Sequence, residues 1–153
     1  LNLSDGGVAL KLLAPLLMVF SFSVTAAPLQ SPVPDQPGLM AYLVKHTPSE
    51  LEQLFQRAAM LADSEEVKTH EPVVFILHGD ETFAFLKANA DQNAHLVSLA
   101  KTLDDKRVID IKVCEIWMQT HGVARDELPA FIDTVPDGPG FSRQLRASGY
   151  VYF

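Results

Sequence analysis

A single cysteine stands among the 153 residues, so no disulfide can form within the chain and a cysteine-built metal site is out of reach. Positive charge is also scarce: 12 Lys and Arg face 19 Asp and Glu, a formal balance of -7. That deficit leaves no electrostatic footprint for a phosphate backbone and argues against nucleic acid as a partner. Neither a G-x-G-x-x-G turn nor a G-x-x-x-x-G-K loop occurs, so a nucleotide site has no local support. The N-terminal apolar run from Leu12 to Val24 is interrupted by Pro15 and falls short of the ~20 residues a spanning helix needs. What is present is an apolar content of 48%, typical of globular domains, on a length that suits one domain rather than two.

Lys11, the short apolar run and the small residues Thr25, Ala26 and Ala27 follow the three-part pattern of a secretory signal peptide. Cleavage after Ala26 is expected, which would place the remaining protein in a periplasmic or secreted location without a membrane span. The loss of Lys11 and Asp5 leaves the charge balance unchanged. Residues 27–38 carry Pro28, Pro32, Pro34 and Pro37 among polar residues, a composition that suits an extended tether. The folded domain is expected over residues 39–153.

Within that domain strand and helix patterns alternate. Leu39 to Val44 is a short apolar run. Thr47-Pro48-Ser49-Glu50 reads as a capping box with proline at the first helical position, and Leu51, Leu54, Phe55, Ala58 and Leu61 continue it as one helical stripe. Val73-Val74-Phe75-Ile76-Leu77 is apolar on both faces, as a strand in the middle of a parallel sheet must be. A second helical stripe starts near Asp91 and runs through Leu96, Leu99, Ala100 and Leu103. Val108 to Val113 reads as a strand ending at Cys114, followed by a short helix that Gly122 stops. Asp126-Glu127-Leu128 suggests a helical turn, Phe131 to Val135 a weaker strand, and Pro136 to Gly140 a turn. A last short helix holds Leu145, and Tyr150 to Phe153 closes as a strand. This alternation predicts an α/β fold, three-layer α/β/α with a mainly parallel five-stranded sheet, layered like flavodoxin or Rossmann domains but without a nucleotide motif.

In such sheets ligands bind outside the carboxyl ends of the strands. Three strand ends should meet there: His46-Thr47, His78-Gly79-Asp80 and Cys114-Glu115. Gly79 permits a tight turn or a close backbone approach. Cys114 precedes a helix, where unpaired amides favour a thiolate nucleophile, and His78 or His46 could accept its proton. A lone thiol at the end of an apolar strand is more often explained by packing. Glu115 would oppose thiolate formation if it pointed at the sulfur. No histidine pair has H-x-x-x-H spacing, so a metal site has little support; His95 reads as solvated, and His70 and His121 as isolated. Trp117 and Met118 read as core or subunit-contact residues.

The stretch Val73 to Asp80 is similar to the second strand and loop of the DsrE/DsrF-like sulfur-relay family. So is Ile111-Lys112-Val113-Cys114-Glu115, with Gly122-Val123 and Asp126-Glu127-Leu128 after it, and Gly149-Tyr150-Val151-Tyr152 resembles that family's last strand. The resemblance spans most of residues 39–153. It implies a small α/β/α domain that forms homotrimers or hexamers and carries sulfur as a persulfide on the cysteine at the position of Cys114. The expected function is therefore an exported sulfur-binding or sulfur-transfer protein. Cys114 and His78 would do the chemistry, and Gly79, Asp80, Glu115 and His46 would line the site. A sulfur donor or acceptor protein, or a small thiol, would be its partner, and no cofactor is required. The alternatives are a non-catalytic oligomeric binding module of the same fold with a buried, inert cysteine, and a small Cys/His metal-binding protein.

Overall fold

The structure, a computed structural model, describes residues 37–63 and 71–153. The expected signal segment, nearly all of the tether and His70 lie outside the described residues. Five parallel strands form one sheet: β1 (Leu39–Leu43), β2 (Val73–Leu77), β3 (Ile109–Cys114), β4 (Asp133–Val135) and β5 (Val151–Tyr152), in the order β4-β3-β2-β1-β5. The helices are α1 (Pro48–Ala62), α2 (Ala94–Asp105), α3 (Glu115–His121) and α4 (Gly138–Ala147). Every strand pair is parallel, with Phe75 level with both Ala41 and Ile111.

Local chemistry accounts for the element ends. Thr47 Oγ1 accepts from the Glu50 amide at 3.2 Å, and Glu50 Oε2 accepts from the Thr47 amide at 2.7 Å, so the capping box closes as the sequence predicts. The amide bond to Glu50, and then the hydroxyl bond, hold that carboxyl below its ordinary range. Gly122 ends α3 at φ +65, the left-handed conformation glycine adopts without strain. His121 Nδ1 lies 2.8 Å from the Trp117 carbonyl, and its ring stacks on the indole at 4.3 Å. Two expectations change. Pro136 to Gly140 is not a free turn, because α4 already begins at Gly138 with Pro139 in its first turn. The segment after β2 coils into a 3₁₀ turn over Asp80–Phe85 and another over Lys87–Asn89, and the second helix begins at Ala94 rather than Asp91.

The strand order explains how the layers are filled. From β1 to β4 each crossover moves the same way across the sheet, and right-handed crossovers then put every helix on one face. Leu51 and Phe55 of α1, Leu96 and Ala100 of α2, and Trp117 and Met118 of α3 pack with Phe75, Leu77 and Ile111 into the main core. The chain returns from β4 past three strands to β5, so α4 falls on the opposite face. There Phe141 and Leu145 cover the smaller cluster of Met40, Val74 and Ile76.

On that thinner face Lys112 bridges Asp110 at 2.9 Å and Asp133 at 2.8 Å. Burial works against its charge, but the bonds to Asp133 and Asp110 outweigh burial and raise its pKa. Tyr150 donates its phenolic hydrogen to Glu71. Burial, then that bond and the charge of Glu71, push the phenol up to about 12 from an ordinary 10.0. A raised phenol contributes stability that is fully present below its unfolded pKa and lost as pH rises through the folded one. Stability to denaturant should therefore fall between pH 10 and about 12, and Tyr150→Phe should make that fall shallower. An unchanged slope in the variant would count against the assignment.

Candidate functional site

Alternation along the strands carries Tyr42 of β1, Ile76 and His78 at the end of β2, and Cys114 at the end of β3 to the α4 face of the sheet. Cys114 also sits at a topological switch point. The connection leaving β3 enters α3 on one face, and the connection leaving its neighbour β4 enters α4 on the other. The thiol is thus the residue from which α3 starts, and it faces the first turn of α4. The Gly138 amide donates to Cys114 Sγ at 3.2 Å.

Gly138 lets the backbone come close at this corner, where a side chain would be tight. A Cβ there would lie 3.1 Å from Cys114 Cβ, 3.2 Å from His78 Cδ2 and 3.4 Å from Ile76 Cγ2. The same distances place the His78 ring and the Cys114 side chain beside Gly138. The imidazole lies 5.6 Å from the Tyr42 ring, and its buried Nδ1 has no hydrogen-bond partner among the described residues. Burial, then the charge that Cys114 and Asp137 can carry, raises the Tyr42 phenol above its ordinary 10.0, with Arg143 opposing. Tyr42 therefore stays a neutral hydroxyl. Cys114 has 0% of its surface exposed.

The remaining expected residues take different places. Asp80 is exposed at the start of its 3₁₀ turn, and the next residue, Glu81, turns inward and is 1% exposed. Its Oε1 accepts from the amides of His78 at 3.0 Å and Gly79 at 2.7 Å, and its Oε2 accepts from the Lys45 amide at 3.0 Å. Gly79 provides a close approach: a Cβ on it would lie 2.7 Å from Glu81 Oε2 and 3.1 Å from the Lys45 nitrogen. His46 follows β1, two strands from β3, and its charge bears on Glu50 at the start of α1. Glu115 Oε1 accepts from Thr134 Oγ1 at 2.7 Å. It lines a hollow of about 200 Å³ with Met118, Gln119, Val123, Arg125 and Thr134. His95 is exposed and lies 3.1 Å from Glu52. Among the described residues no group of three or more His, Cys, Asp or Glu side chains is arranged to hold a metal ion.

Three contributors escaped sequence reasoning. Gly138 was hidden in Pro136-Asp137-Gly138-Pro139-Gly140, which reads as a turn, although two glycines at a helix start are themselves a sign of close backbone approach. Glu81 carries a weaker signal: an acidic residue two positions before the apolar stretch from Phe83 to Leu86. Tyr42 sits in an apolar run with no sign of its role.

No family model matches the sequence, and no curated protein matches it. Solved structures do resemble the fold. MTH1491 from Methanobacterium thermoautotrophicum, described as a protein of unknown function, superposes with a TM-score of 0.60 at 14% identity, over 77% of this chain and 98% of its own. The ychN protein from E. coli gives a TM-score of 0.50 at 13% identity, over 77% of this chain and 100% of its own. The chain shares their fold. At these identities the likeness establishes the α/β architecture and leaves function to the site itself.

Proposed function

We propose that this chain is an exported sulfur carrier that holds sulfane sulfur as a persulfide on Cys114. The observation that carries the reading is the Gly138 amide bonded to Cys114 Sγ at 3.2 Å, with the His78 ring against the same glycine. An amide N–H aimed at sulfur becomes a charge-assisted bond when the sulfur is anionic. His78 takes the thiol proton. The thiolate attacks the terminal sulfur of an inorganic polysulfide, one S–S bond forms as another breaks, and the shortened polysulfide leaves with the electron pair. An acceptor thiolate then attacks the outer sulfur of the persulfide and releases Cys114 as thiolate. Each step is an exchange without net oxidation, so no cofactor enters the balance.

Because the thiol has no exposed surface, the first turn of α4 must lift before a donor can reach it. Intact-mass measurement of the native chain after incubation with polysulfide should show addition of one sulfur atom, and Cys114→Ser should show none. Equal addition to both chains would remove the reading.

The complete burial of Cys114 favours a second reading, a non-catalytic oligomeric module with an inert cysteine. Labelling of the thiol only after denaturation would support it. In either reading assembly into a trimer or hexamer is proposed, supported by the edge strand β5, where Val151 and Tyr152 are 46% and 58% exposed. Among the described residues no helix is long and apolar enough to cross a membrane.

A further inference from the structure

Glu81 is a carboxylate in the interior of the sheet's carboxyl edge, 1% exposed, with no basic side chain bonded to it among the described residues. Its three bonds are all from backbone amides. Two of them, from His78 and Gly79, flank the Cα that carries the His78 ring. The third comes from Lys45, in the loop after the neighbouring strand β1. Successive amides converging on one anion form a nest, and here the anion is supplied by the chain itself.

Two features show that the fold is shaped around this carboxylate. Lys45 holds φ at +63, a left-handed conformation unfavourable for a residue with a Cβ, and in that conformation its amide reaches Glu81 Oε2. Gly79 leaves no room for a Cβ between the same oxygen and the Lys45 nitrogen. The His78 amide is shared between Glu81 and the Leu43 carbonyl at 3.2 Å, so the sheet ladder alone does not determine the direction of the peptide that follows it.

We propose that Glu81 is the positioning residue of the sulfur site: it fixes the peptide units on both sides of His78 and thereby holds the imidazole against Gly138 and Cys114. This rests on the sulfur-carrier reading for its chemistry, but the placement of His78 can be measured without it. Without the bonds to the His78 and Gly79 amides, the His78 backbone is free to turn about its own φ and ψ and carry the ring away from the thiol.

The test uses the full chain and its Glu81→Gln variant, with inorganic polysulfide as the probe. In a variant that keeps the circular dichroism of the parent, the rate of sulfur addition to Cys114 should fall by about tenfold or more, and the His78 ring cross-peak in the NMR spectrum should move. In a His78→Gln background, Glu81→Gln should change the rate no further. A ring signal that stays in place, or a rate that is unchanged, overturns the proposal even if the melting temperature drops. If Glu81→Gln does not fold, Glu81→Asp, which keeps the charge but is too short to span both loops, is read by the same criteria. If the parent chain takes up no sulfur, the carrier reading falls and the His78 ring signal alone decides whether Glu81 positions it.

Discussion

Gly79→Ala is expected to lower the stability of the chain by roughly 2–4 kcal/mol, the combined scale of overpacking and of a buried polar group losing its partners. The added carbon would stand 2.7 Å from Glu81 Oε2 and 3.1 Å from the Lys45 nitrogen. The first neighbour is a side-chain atom, but it is not free to yield, because Glu81 is buried and tied to three amides. Moving the carboxylate strands those donors; leaving it in place forces the Lys45 backbone outward. The effect comes from space rather than backbone preference, since Gly79 has φ at -146 and ψ at -162, an extended conformation open to other residues. Urea unfolding of the variant and parent measures it. A loss below about 0.5 kcal/mol, the range of ordinary surface changes, would show that the carboxylate clamp is not tight.

Gly79 is legible in the sequence as a close backbone approach, but the Glu81 carboxylate that it approaches is not, and the reason is physical. Strands and helices are written in local periodicity. The Val73 to Leu77 run, the capping box at Thr47 and the Gly122 stop each depend on neighbours a few positions away, and each stands where expected. The parallel α/β layering follows from their alternation. The site is built differently. The thiol of Cys114 meets an amide 24 residues later in the chain, and the Glu81 carboxylate meets one 36 residues earlier. Those contacts depend on strand order, which placed β3 beside β4 and sent α4 back across the opposite face.

Cys114 and His78 were legible because they end apolar strands, and strand ends in such sheets share one edge. Whether they share one face follows only from register: Ile76 level with Lys112, and Leu77 with Val113, bring the next residues of both strands to the same corner. His46 and Asp80 satisfied the same edge rule and yet stand elsewhere. His46 lies on a loop two strands away, and Asp80 begins a 3₁₀ turn that points it to solvent while carrying its neighbour Glu81 inward.

Phe75→Ala should cost about 3–5 kcal/mol, as large aromatic truncations in a packed core do. Phe75 is the middle residue of the central strand and is 0% exposed. Its ring meets Phe55 of α1 edge-on at 5.0 Å and Phe153 at 5.8 Å. Phe153 is itself covered by the Arg57 guanidinium at 4.8 Å, so the cavity would loosen α1 and the C-terminal strand together. Against a total stability of about 5–15 kcal/mol for a domain, the variant should unfold far below the parent temperature. A double-mutant cycle with Phe55→Ala should return a coupling of about 0.5–1.5 kcal/mol, the range for an aromatic pair; a coupling near zero would mean the rings do not pack as described. The milder Phe75→Leu keeps most of the volume and separates stability from function. Phe75 points to the main core; His78 and Gly138 lie toward the other face of the sheet, where the Cys114 thiol meets the Gly138 amide although its side chain also joins the main cluster. A folded Phe75→Leu chain should therefore melt earlier and still take up sulfur at the parent rate. If uptake falls in step with melting temperature, the two faces are coupled, and the first turn of α4 opens over Cys114 only when the core beneath the sheet loosens.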